Sequence, residues 1–341
     1  MILTAPKGIN IRASLPRRLK WGLAGCGRFA EESFLPALQN VQRSKLVSVY
    51  SHDLNRARFI ASRFGAQNSF KDYDEFLKSD FDALFIASAN SDHYTQVIKA
   101  ARAGKHILCE KPIATNSSEA EEMVRVCKEN NVTLIVNFIH RFHPLVIKAK
   151  ELVEKDLLGK IVSVSASFNI DYAPNDNFRF KKELSGGGVL RDLGSHMIDI
   201  LRYFGGEISE AKAFMDNIVY KSEVEDYASA IVKFEKSGYG FFNVSYNAKK
   251  SFNRIEILGH KGVIGIENFV GKKNVSSSLV IDLQGEARKT FRKRANKITY
   301  MIRAVQKSFL KNEAPLVTGE DALINMKIIE EIERQCRSEK N

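Results

Sequence analysis

No stretch of this 341-residue chain approaches the ~20 consecutive apolar residues that span a bilayer, so the sequence reads as a soluble protein with no membrane partner. Cysteine is scarce. The four present, Cys26, Cys109, Cys127 and Cys336, are scattered without paired zinc-type spacing, which excludes a disulfide framework, implies no metal site and suits reduced thiols in the cytoplasm. Acidic residues are missing from the first twenty positions, which run through Pro16-Arg17-Arg18. That start has a faint likeness to a transit peptide but no secretory apolar core, and residues 1–17 read more simply as a basic leader on a cytoplasmic protein. The net charge of +12 gives affinity for any polyanion rather than a role. Its two concentrations, Lys7 to Lys20 and Lys289 to Lys297, lack the regular aromatic interleaving of a single-strand binder. They read as solvated basic faces, and no nucleic-acid partner is expected.

What is present is a chain with 44% hydrophobic residues, long enough for two domains with separate cores. The apolar run from Leu19 to Ala24 reads as a strand, and Gly25-Cys26-Gly27-Arg28-Phe29-Ala30 as the turn from that strand into a helix. Such a turn leaves backbone N–H groups unpartnered at the positive end of a helix dipole and so makes an anion site for a dinucleotide pyrophosphate. Gly25 permits the tight turn, Gly27 lets a phosphate approach, and the small Ala30 lets helix and strand pack. From Arg18 to about Asn137 strands and helices alternate, which implies a parallel sheet covered on both faces. A helix is expected from Phe70 to Leu77 and another from His93 to Ala103.

The second strand, Lys45 to Tyr50, ends where a dinucleotide's adenosine ribose would lie. Ser51, His52 and Arg56 could hold a ribose phosphate, which tilts NAD(P) slightly towards NADP, whereas Asp53 could bond the bare ribose and argues the other way. Equally, His52 and Arg56 read as ordinary exposed loop residues. Ser88 to His93 and Glu110-Lys111-Pro112 follow later strands and face the ligand crevice of such a sheet. By base rates Lys111 alone is also compatible with a plain surface lysine.

Beyond Asn137 a helix from Pro144 to Leu158 leads to long strand-like runs joined by short turns, which implies a largely antiparallel sheet. Its open face is a surface for self-association as a homodimer or homotetramer. Within this half, Gly186-Gly187-Gly188 opens a helical segment in which Asp192 and His196, four residues apart, share one face. A carboxylate beside an imidazole is a workable acid–base pair, though the same spacing also serves a pair that only stabilises the helix. Met197, Ile200 and Leu201 point to the core. A C-terminal amphipathic helix, with Leu323, Met326, Ile329 and Ile332 at helical spacing, reads as packing.

Several of these segments, in this order, resemble the Gfo/Idh/MocA oxidoreductases: the glycine turn, Asn90 with His93, Ala103 to His106, Glu110-Lys111-Pro112, Arg141-Phe142-His143-Pro144, the triple glycine with Asp192 and His196, and Val317 to Leu323. The resemblance runs from about Leu19 to about Gln335. It implies an N-terminal Rossmann dinucleotide-binding domain, residues 18–138, and a C-terminal α/β substrate-binding and oligomerisation domain with a large, mostly antiparallel open sheet, residues 139–341. It implies NAD(P) held by Gly25, Cys26, Gly27, Arg28, Phe29, Ser51, His52, Arg56, Ser88, Asn90, His93, Glu110 and Lys111. Lys111 would sit beside nicotinamide and substrate hydroxyl, Asp192 would hold substrate, and His196 would be the general acid/base. Arg141, Tyr172 and Arg179 would complete the site for a sugar, cyclitol or related small molecule. A glycosidase working through transient oxidation and a non-catalytic dinucleotide sensor are the two rival readings.

Overall fold

A computed structural model describes residues 18–270 and 275–338; the basic leader inferred for residues 1–17 lies outside them. The first half is built as alternating buried strands and amphipathic helices: β1 (Leu19–Ala24), a π-helical turn (Ala30–Phe34) running into α1 (Leu35–Leu38), β2 (Ser44–Tyr50), α2 (Leu54–Phe64), β3 (Asn68–Phe70), α3 (Tyr73–Leu77), β4 (Ala83–Ile86), α4 (Asn90–Arg102), β5 (His106–Cys109), α5 (Ser117–Glu129) and β6 (Leu134–Val136). The six strands are parallel, in the order β3-β2-β1-β4-β5-β6. The order reverses between β1 and β4, so the loops after those two strands flank a crevice at their carboxyl ends. Two expectations shift here. Phe70 closes a short edge strand instead of opening a helix, and α4 begins at Asn90, three residues ahead of His93.

The second half starts with a 3₁₀ turn (Ile139–Phe142) and α6 (Pro144–Glu154), then β7 (Ile161–Asp171), a 3₁₀ turn (Phe178–Phe180), α7 (Lys182–Ser185), a π-helical turn (Leu190–Gly194) and α8 (Ser195–Gly205). It continues with β8 (Ile208–Asp216), β9 (Tyr227–Phe234), β10 (Tyr239–Ser245), β11 (Asn247–Gly259), β12 (Gly262–Glu267), β13 (Ser277–Leu283) and β14 (Lys289–Lys293), and closes with α9 (Lys297–Lys311) and α10 (Gly319–Ser338). The eight strands lie in the order β14-β13-β12-β11-β7-β10-β9-β8, antiparallel except for the parallel pair β7 and β10. Helix α8 covers one face, with Met197, Ile200 and Leu201 fully buried against it.

The strands β13 and β14 and the helix α9 were not legible in the sequence. Helix α9 also crosses the expected boundary at residue 138: Met301, Ile302, Val305 and Phe309 pack with Trp21, Phe34 and the rest of the first core, and Val317, Ala322 and Met326 join them. The C-terminal segment therefore belongs partly to the dinucleotide-type half, and it straps the two halves together.

Candidate active site

Between the halves lies a cavity of about 530 Å³ whose walls come from both. The Rossmann-type side contributes Gly27, Arg28 and Phe29 after β1, Ser88 and Asn90 after β4, Glu110 and Lys111 after β5, and Asn137 after β6, with His140 on the turn that opens the second half. The other side contributes Arg179, Asp192, His196 and Lys297, among others.

At the glycine turn, Gly25 has φ +94° and donates its N–H to the Tyr50 carbonyl at 3.2 Å. A Cβ there would lie 2.4 Å from the Ser88 nitrogen, so no larger residue fits. A Cβ on Gly27 would meet nothing closer than the Ala87 oxygen at 3.9 Å, and no described bond engages the amides of Cys26 or Gly27. Open space beside free amides at a helix start fits the pyrophosphate of a dinucleotide. The Cys26 side chain turns inward, its Sγ 3.7 Å from the Tyr50 carbonyl, and burial pushes the thiol up to about 11.

Several of the residues assigned to ligand have other partners. Asp53 caps α2 by accepting from Asn55 N at 2.9 Å, and Ser51 Oγ accepts from Asp53 N at 3.2 Å. Arg56 donates to the Cys26 carbonyl at 3.1 Å and pairs with Glu31, so it braces the glycine turn and its charge is already met. His52 stays exposed between the Tyr50 hydroxyl and Asp92. His93 is fully buried, its Nδ1 2.9 Å from the Pro112 carbonyl; it supports the turn carrying the cis Lys111–Pro112 bond and does not reach the cavity wall. Arg141 is likewise buried away from the cavity, with Nη2 and Nε donating to Asp199 at 2.6 and 3.0 Å and further contacts to Asp321 and the Leu316 carbonyl. Tyr172 packs on Phe180 and Tyr246 behind the wall.

The catalytic candidates do converge. Lys111 Nζ donates to the Asp192 carbonyl at 2.6 Å and to its Oδ1 at 2.5 Å, joining the halves directly. Asp192 Oδ2 accepts from the Tyr246 hydroxyl at 2.7 Å and pairs with Arg179 at 3.3 Å. Burial alone would raise the Asp192 carboxyl, but Lys111 and Arg179 outweigh it and hold the group well below the usual carboxylate range. Asp192 thus orients Lys111, and none of its described hydrogen bonds goes to His196. The His196 ring instead meets His140 edge to face, 4.5 Å between centroids. Burial, and next the charge of Lys111, keep its pKa well below 6.5, so the imidazole is neutral at pH 7. Glu110, whose carboxyl is pushed up by burial, accepts from Asn137 Nδ2 at 2.5 Å and backs Lys111 through its main-chain N–H at 3.3 Å.

Residues 19–138 match the family model described as an oxidoreductase family with NAD-binding Rossmann fold, and residues 146–265 match the GFO/IDH/MocA C-terminal domain. The chain belongs to the Gfo/Idh/MocA oxidoreductase family. Similar proteins include an oxidoreductase from Formosa agariphila, 29% identical over 78% of this chain and 84% of the relative. Another is levoglucosan dehydrogenase from Pseudarthrobacter phenanthrenivorans, 30% identical over 60% of each chain. Among solved structures, the aldose-aldose oxidoreductase of Caulobacter crescentus superposes with a TM-score of 0.86 at 25% identity, over 94% of this chain and 98% of that one.

Sequence reasoning about this Gfo/Idh/MocA chain missed Tyr246, His140 and Lys297. Tyr246 closes a strand-like run and carried no motif. Lys297 was counted in a solvated basic face, which holds for the exposed β14 but not for Lys297, whose Nζ sits 3.4 Å from His140 Nδ1 inside the cavity. Three histidines here are buried and neutral: burial lowers His140 and His196 well below 6.5 and takes His143 down to about 4. In the unfolded chain all three protonate near 6.5. As pH falls below 6.5 the unfolded state binds protons that the native state refuses, so stability drops until the folded pKa values, about 4 for His143, are passed. Chemical denaturation at about pH 7.5, 6 and 5 should show the midpoint falling at each step; a flat profile would mean that the fold takes up as many protons as the unfolded chain, at these imidazoles or at buried carboxyls such as Asp199, raised to about 6.

Proposed function

We propose that this protein is an NAD(P)-dependent oxidoreductase that transfers a hydride between the nicotinamide and a secondary hydroxyl or ketone of a sugar, cyclitol or sugar derivative. The observation that carries this reading is the meeting of Lys111, from the dinucleotide-type half, with Asp192 and His196, from the other half, at one cavity. A bound nicotinamide supplies the hydride acceptor or donor. Neutral His196 takes the hydroxyl proton as an alcohol is oxidised and returns it in reduction. Lys111, fixed by two bonds to Asp192, places a positive N–H donor where the oxygen gains charge. Arg179 and Tyr246 hold Asp192 ionised and still, so that Lys111 keeps its aim.

The names of similar proteins support the sugar-type substrate: levoglucosan dehydrogenase, and a D-xylose 1-dehydrogenase (NADP(+)) from Haloferax volcanii. With Arg56 paired to Glu31, the lean towards NADP rests on Ser51 and His52. Self-association uses the open face of the eight-stranded sheet, where Phe214, Ile231 and Phe241 stand exposed side by side. Among the described residues no helix is long and apolar enough to cross a membrane. Fluorescence titration with NADH and NADPH, followed by a polyol and keto-sugar screen with the tighter cofactor, tests the reading. Binding of one nucleotide and its reduction or oxidation by a panel member is expected. Failure to bind either nucleotide would overturn it.

A further inference from the structure

The cavity lining also includes Ala295, Asn296, Lys297 and Ile298, which lead into and begin the 15-residue helix α9. Two features of this wall are positive, and a third leaves them unanswered. The first turn of α9 holds no acidic residue, and the Asn296 side chain makes no capping bond, so the positive end of the helix dipole opens on the cavity unmet. Lys297 adds an amine there that carries positive charge when protonated. Among the described residues it is in no ion pair, whereas the other cations of the lining are answered: Arg28 by Glu32, and Lys111 and Arg179 by Asp192. Finally, the described groups bonded to its Nζ are neutral. It donates to the Phe269 carbonyl at 3.0 Å and to His140 Nδ1 at 3.4 Å, with His196 beyond His140 and the His143 ring bonded to Ser277. An ammonium has three N–H groups, and two are used.

A cation half-buried at a cavity wall with no described counter-charge is disfavoured, and a protein that keeps one in its substrate cavity has left the counter-charge to the ligand. From this wall we infer a subsite for a carboxylate, so that the substrate is a sugar acid, a polyol or ring that carries a carboxylate away from the reacting carbon. Resting on the oxidoreductase reading above, the inference narrows its substrate class. One uncommitted N–H on a single ammonium matches a monoanion better than a phosphate dianion. Burial pulls Lys297 down to about 7 in the absence of a ligand, as expected of a charge whose partner is not supplied by the chain.

The test is calorimetry on the full chain, with and without reduced cofactor, against the matched pairs glucuronate and glucose, and galacturonate and galactose, with glucose 6-phosphate as a further arm. Turnover of the same compounds is followed in parallel. In the wild type at least one acid should bind about tenfold or more tightly than its neutral partner. Lys297→Met should erase that ratio, in binding and in kcat/KM, and Lys297→Arg should retain it. Thermal unfolding identifies any variant that fails to fold, and in that event the wild-type ratio decides. Equal binding of acid and neutral sugars, no binding of either acid, a preference that survives in Lys297→Met, or tighter binding of glucose 6-phosphate than of glucuronate would each overturn the carboxylate subsite. Turnover of neutral sugars with no acid preference leaves the oxidoreductase reading standing without the subsite. Selective acid binding with no turnover of any compound does the reverse.

Discussion

Lys111→Met should lower kcat/KM by about a thousandfold or more, and His196→Gln by about a hundredfold or more, with nucleotide binding retained in both. The reasoning is geometric. Among the described residues Lys111 is the one member of the dinucleotide-type half whose side chain bonds to Asp192, and its two bonds to that residue leave its third N–H for the reacting oxygen. Methionine fills much of the same volume but carries no donor, so oxyanion stabilisation is lost while packing is largely kept. The His196 effect is smaller because a proton can still leave through water. Because the two act on one oxygen, the double variant should be little worse than Lys111→Met alone. Steady-state kinetics with a verified substrate, together with NAD(P)H fluorescence, separates the cases. Rates near wild type in both single variants would remove these residues from the chemistry.

Arg141→Ala should destabilise the fold by about 3–5 kcal/mol, the range seen when one partner of a buried ion pair is removed. Arg141 is almost wholly buried, as is Asp199, and its planar fork spans Asp199 on α8, Asp321 on α10 and the carbonyl of Leu316. Burial alone would weaken its hold on the proton, but the two carboxylates reverse this and bind the proton more firmly. Without the guanidinium, the buried Asp199 carboxylate loses its described hydrogen-bond donor, while Asp321 keeps Thr318 and the Arg202 guanidinium at 3.7 Å. The conservative variant Arg141→Lys should recover only part of the loss, because a point charge cannot satisfy both carboxylates and the carbonyl. Denaturant unfolding measures the effect. A variant of unchanged stability whose KM alone rises would return Arg141 to the substrate site.

The resemblance assigned Arg141 to substrate, and its real position shows where sequence reading stops. Its partners lie 58 and 180 residues away, and nothing near position 141 reveals whether an arginine turns into a cavity or a seam. Lys297 is the opposite case. It stood in a run of basic residues that looked solvated, and only its seating beside His140, 157 residues away in the chain, brings it into the cavity. Asp192 and His196 were legible as a pair on one helical stretch, and both do line the cavity. Their bonding was not, because the stronger partner of Asp192 is a lysine 81 residues earlier.

What the sequence determined by itself is what local patterns encode: the strand–helix alternation of the first half, the turn that Gly25 and Gly27 require, and a second half of strands. Backbone sterics and hydrophobic periodicity act within a few residues, so these features can be read in order along the chain. The tertiary structure alone decided that α9 crosses back to the first core, that Lys111 and Asp192 lock the halves together, and that Lys297 enters the cavity with no carboxylate partner among the described residues. Those outcomes depend on charge pairing and burial between residues far apart in sequence, and such pairings leave no trace in the spacing of either partner.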